Sequence, residues 1–149
     1  MNIEKEIFTL IESKCANRNE CLIDLNDLPL PKWDNAYIFS NVSKSYIQEK
    51  IKVPYTLYKD IGVKIIFTFN GEITSYAELF PVLDDGMTKS KIIFSFDGSK
   101  WGRKQMVNYY RLGKSDTKMK VVKQEYSNDG YSYITTYIVH PENAGQVGD

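Results

Sequence analysis

Few residues in this chain could do chemistry, and their spacing suits binding better than catalysis. His140 is the only histidine. A Ser or Cys nucleophile needs a base, usually histidine, to take its proton. His140 falls at a predicted strand end beside Pro141, so a structural or surface role is expected of it. No Gly-x-Ser-x-Gly elbow accompanies it. Gly71, Gly86, Gly98 and Gly130 are scattered at turns, whereas a phosphate-cradling loop clusters its glycines between a strand and a helix. Cys15 and Cys21 stand too far in sequence from His140 to suggest a metal site. A disulfide between them would join a helix end to the next strand and would matter in an oxidising compartment. Two free thiols are the expectation for a cytoplasmic protein. The chain is therefore expected to have no catalytic set, no cofactor and no metal.

Two short stretches remain as candidates for partner contact. Asp84-Asp85, followed by Gly86, reads as an acidic loop that could face a basic partner. Lys100-Trp101-Gly102-Arg103-Lys104 sets cations around an exposed-looking aromatic. Such a pair could stack on a base while neutralising phosphate, or grip a protein. Asp84, Asp85, Lys100, Trp101, Arg103 and Lys104 are accordingly the candidate binding residues. The chain also has 11 tyrosines. Their hydroxyls cannot all be satisfied inside a core of this size, which favours a protein interface.

Charge is unevenly laid along the chain. Residues 1–85 carry 9 Lys/Arg against 13 Asp/Glu, and residues 86–149 carry 10 against 6, so a net charge of zero hides halves of −4 and +4. All the basic residues of the second half lie between Lys89 and Lys123, opposed there only by Asp97 and Asp116. Solvated strand faces account for such a segment most simply; attraction of nucleic acid or an acidic protein is the sharper reading.

The elements that must position these residues follow from periodicity and turn chemistry. Residues 2–14 predict an amphipathic helix, with Ile3, Ile7, Leu10 and Ile11 on one face and Glu4 and Glu6 in the first turn. Glu20–Asn26 alternates as a half-buried strand, and Trp33–Phe39 reads as a strand covered on both faces. Ser43 caps a short helix over Lys44–Lys50. Val63–Phe69 and Glu72–Phe80 flank Asn70-Gly71, a strong hairpin signal. Pro81–Lys89 is a loop, Ser90–Phe96 a strand, and Gln105–Leu112 a strand by its tyrosines and valine. Lys118–Tyr126 and Tyr131–Val139 form a last hairpin across Ser127–Gly130. The expected fold is one α+β domain over residues 1–141 with a frayed tail over 142–149. It has an N-terminal helix, a second short helix and a curved, mainly antiparallel sheet of about seven or eight strands. No apolar run is long enough to cross a membrane, and the acidic N-terminal stretch has no signal-like core. A cytoplasmic protein is the expectation, with a periplasmic or lipid-anchored one if a signal has been removed.

One stretch carries a resemblance. Cys21-Leu22-Ile23-Asp24-Leu25 followed by Lys32-Trp33-Asp34-Asn35-Ala36-Tyr37-Ile38-Phe39 resembles a pattern in small bacterial proteins, many of them exported or lipid-anchored. The resemblance covers roughly residues 20–96 and implies the helix and hairpin that follow. In size, class and missing chemistry the chain is similar to the immunity proteins of contact-dependent growth inhibition and related toxin systems. That likeness implies a protein that binds a cognate toxin domain and blocks its active site. An exported protein of unknown ligand and a nucleic-acid-binding domain are the alternatives.

Overall fold

The structure is a computed structural model that describes residues 2–56, 58, 62–79, 90–103, 105–127, 129–131, 134–143 and 146–148. It is an α+β fold whose strands divide between two sheets rather than lying in one. The helices are α1 (Ile3–Cys15) and α2 (Lys44–Ile51). The strands are β1 (Glu20–Asp24), β2 (Asn35–Phe39), β3 (Val63–Phe69), β4 (Glu72–Leu79), β5 (Ser90–Phe94), β6 (Tyr109–Gly113), β7 (Lys118–Tyr126), β8 (Ile134–Pro141) and β9 (Gln146–Gly148). One sheet has the order β1-β7-β8-β5 and the other β4-β3-β2-β6-β9.

Local chemistry accounts for most element ends. The Asn2 side chain accepts from the Lys5 N–H to start α1, and Ser43 does the same for Tyr46 at the start of α2. Asn70 and Gly71 both take positive φ, 50° and 79°, as the β3–β4 hairpin turn demands. β1 stops two residues short of the predicted strand. The Asp24 carboxylate accepts from the Asn26 N–H at 2.9 Å and turns the chain into a short 3₁₀ helix.

The central strands of the five-stranded sheet, β2 and β3, are covered on both faces, as the Trp33–Phe39 pattern anticipates. Ala36, Ile38, Ile65, Phe67, Tyr110 and Leu112 point into the main core. Tyr37, Phe39 and Ile66 point the other way, under Ile47 and Ile51 of α2. Phe39 stacks on Tyr109 with ring centres 5.3 Å apart, and Tyr46 meets both edge-on. The four-stranded sheet sends Ile23, Met119, Val121, Tyr137, Val139 and Phe94 into the same main core. α1 closes that core with Ile3, Ile7 and Ile11. Its Phe8 lies edge-on to Tyr137, and the Tyr137 hydroxyl donates to Glu12 at 3.1 Å.

The strands pair antiparallel as expected, except that β5 runs parallel to β8. Three expectations need correction. The tail is not frayed throughout: Gln146–Gly148 pairs antiparallel with Tyr109–Arg111. Backbone pairing needs no side-chain pattern, so Gln-Val-Gly leaves no strand signal. Cys15 and Cys21 form a disulfide, with Cα atoms 5.6 Å apart. α1 ends beside the start of β1, so the geometry permits what the cytoplasmic default argued against. Closing so short a loop contributes about 2 kcal/mol in the chain-entropy account. Finally, Trp101 is not an exposed loop aromatic; it lies in a 3₁₀ helix, Gly98–Trp101, and is 4% exposed.

Candidate functional site

The outer face of the four-stranded sheet is built by strand alternation. Residues paired across strands share a face, so register places Glu20, Val122, Ile138 and Ile93 in one outward row. Leu22, Lys120 and His140 form the next. Neither helix covers these rows, since α1 packs in the main core and α2 on the other sheet. Leu22 and Ile93 are consequently 45% and 47% exposed, although both are large aliphatic side chains.

At one end of this face the chain builds a cleft of about 380 Å³ lined by Glu20, Cys21, Leu22, Lys100, Lys120, His140 and Glu142. Its walls come from β1, β7, β8 and the 3₁₀ helix. That helix is held by its own ends. Asp97 accepts from the Ser99 N–H and hydroxyl at 3.1 and 2.7 Å. Gly102 closes the other end with φ 91°, its N–H on the Gly98 carbonyl. Gly98 is required by crowding: a Cβ there would meet Arg103 Cβ at 2.5 Å and the Gln105 carbonyl at 2.6 Å.

Beneath the cleft the Trp101 and His140 rings stack, 5.7 Å apart and 17° from parallel, and Trp101 meets Tyr110 edge-on at 5.6 Å. The His140 ring lines the cleft floor while the residue is almost fully buried. Its Nδ1 lies 2.7 Å from the Pro141 carbonyl. A carbonyl only accepts, so Nδ1 carries the proton and Nε2 is left as an acceptor. Burial holds the His140 pKa below the ordinary imidazole value, and the charges of Lys100 and Lys120 reinforce this against the opposing pull of the Pro141 bond. The ring is therefore neutral near pH 7. Lys120 pairs with Glu20 at 3.5 Å. The cleft thus mixes two ammonium groups, two carboxylates and a neutral acceptor beside an exposed leucine.

The lining therefore offers both signs of charge, a neutral acceptor and an apolar side chain within one concave patch. Among the described residues no group of three or more His, Cys, Asp or Glu side chains is placed to hold a metal.

The candidate binding residues fare unequally. Lys100 lines the cleft; Trp101 supports it from below, where it cannot stack on a base; Arg103 is not among the lining residues and lies against Gly98. Asp84, Asp85 and Lys104 lie outside the described residues. Sequence reading missed Glu20, Leu22, Lys120, His140 and Glu142. The available signal was Leu22, an aliphatic residue among the outward positions of β1 beside Asp24.

No described helix is long and apolar enough to cross a membrane. Comparison with protein-family models, curated proteins and solved structures finds no match to this chain.

Proposed function

We propose that this domain acts by binding a protein through the outer face of the four-stranded sheet, as a toxin-neutralising immunity protein that covers the active site of a cognate toxin domain. The observation that carries the binding reading is an outer face with an exposed aliphatic on each edge strand, Leu22 in a cleft of mixed charge on β1 and Ile93 on β5. A flat sheet face with aliphatic anchors and a charged rim suits a protein better than a small molecule. The mixed charge of the cleft argues for a partner matched residue by residue rather than by one strong field. Co-expression with the product of the gene immediately upstream tests the reading. A stable complex and loss of the toxin's activity are expected, and both should weaken in a Leu22→Glu/Ile93→Glu variant. Failure of the pair to co-purify overturns it.

The Cys15–Cys21 disulfide favours a second reading of location, in which the protein is periplasmic or lipid-anchored. Intact mass of the native protein decides it. A processed N-terminus with the disulfide closed supports an exported protein; an unprocessed one with free thiols eliminates it.

A further inference from the structure

We infer that the Cys15–Cys21 disulfide is a redox gate on the cleft: it holds the β1 wall in place when closed and releases that wall when reduced. The inference rests on the reading of this face as the partner-binding surface, and adds its regulation.

The two ends of β1 are fastened by different chemistry. At the far end, the Thr117 hydroxyl donates to Asp24, the Asn26 amide donates to Thr117 at 3.0 Å, and Lys114 donates to Asn26 at 2.8 Å. The Leu25 N–H donates to the Thr117 carbonyl at 3.0 Å. None of these contacts responds to a reductant. At the near end, Glu20, Cys21 and Leu22 form the cleft wall. β1 is an edge strand paired only with β7. Besides that pairing and the exposed Glu20–Lys120 ion pair, the near end is tied to α1 by the disulfide, and the preceding turn is tied to the sheet by one backbone bond, Lys123 N–H to Asn19 carbonyl at 2.8 Å.

The two sulfurs differ in surroundings. Cys15 is 2% exposed, whereas Cys21 is half-buried, its side chain on the α1 side of β1 beside core-facing Val121. Cys21 is therefore the more accessible residue of the pair. A dithiol reductant supplies the balance: its thiolate attacks the Cys21 sulfur and expels the Cys15 thiolate, which takes a proton. The reductant's second thiol then displaces Cys21 as a thiol and closes its own disulfide. Two electrons and two protons pass to the protein. A partner that binds the held wall formed by Glu20 and Leu22 favours the closed bond, so binding and reduction should oppose one another.

Hydrogen exchange of the whole protein, oxidised and then reduced with dithiothreitol, tests the gate. Exchange across residues 20–22 is expected to rise at least about tenfold on reduction, with residues 24–27 changing by less than about twofold. Reoxidation should reverse the change, and a Cys15→Ala/Cys21→Ala variant should match the reduced protein. Equal exchange at residues 20–22 in both states overturns the proposal. So does acceleration throughout the domain, or failure of both the reduced protein and the variant to fold, because the bond is then a staple of the entire fold. Capture of the upstream-encoded partner should fall at least about tenfold on reduction, and equal capture in both states overturns the regulatory role. Capture in neither state counts against the partner reading alone and leaves the exchange result to decide the gate.

Discussion

The two sheets contain similar kinds of strand but are finished differently. The centre of the five-stranded sheet is buried on both sides, by the main core and by α2 with its tyrosine layer, and only its β4 edge leaves a large ring, Tyr76, 40% exposed among the described residues. The four-stranded sheet is buried on one side and leaves Leu22 and Ile93 in solvent on the other. Even a fully buried lysine, Lys64, is accommodated in the first sheet, its ammonium bonded to the Gly62 carbonyl at 2.8 Å and set 5.0 Å from the Tyr58 ring centre. Investment in polar compensation marks a scaffold; aliphatic side chains left uncovered mark a surface kept for something else.

Substitutions can break this contrast in order of size. Phe39→Ala removes the ring that joins β2 to α2, and should cost about 3–5 kcal/mol in urea unfolding. A loss below about 1 kcal/mol would mean that α2 contributes little to the scaffold. Gly98→Ala forces the 3₁₀ helix away from Arg103 and should cost about 1–3 kcal/mol. It should also disturb the tryptophan fluorescence, because Trp101 moves with the helix; an unshifted spectrum would contradict the crowding described. The pH dependence is a smaller effect. His140 has a folded pKa below its unfolded value, so the unfolded chain binds more protons in the interval between them. Stability is then complete above the unfolded imidazole value, about 6.5, and declines as pH falls toward the folded value. A His140→Gln variant should lose that part of the decline, and an unchanged pH profile would place the ring in water. Smallest of all, Leu22→Ser with Ile93→Ser should leave stability within about 0.5 kcal/mol of the parent per site. A larger loss would show that the outer face is covered after all.

What was legible in the sequence is what local chemistry decides. Asn2 and Ser43 cap their helices, Asn70-Gly71 turns its hairpin, and the Lys118–Val139 region folds back on itself. Each depends on residues close together in the chain. The division into two sheets depends on distant pairings, β1 with β7 and β5 with β8, which no turn signal announces. Trp101 misled for a related reason. Its neighbours Lys100, Gly102 and Arg103 look solvated, while the rings that bury it, Tyr110 and His140, arrive from other strands. The disulfide was legible as geometry and was set aside on an argument about compartment. Of the candidate site only Lys100 was found directly, because outward strand positions become a surface only once their neighbours are known.

The parallel pairing of β5 with β8 also bears on the order in which the chain can assemble. β2, β3 and β4 are successive in sequence and can zip together as soon as they leave the ribosome. β1 and β5 have no sheet partner until the hairpin of residues 118–141 exists. Two β-rich segments, Glu20–Asp24 and Ser90–Phe94, must therefore wait unpaired through part of synthesis. Non-local closure of this kind slows folding and exposes strand edges to other chains. The surface available for recognition in the finished domain belongs to the sheet whose edge strands, β1 and β5, both wait for residues 118–141.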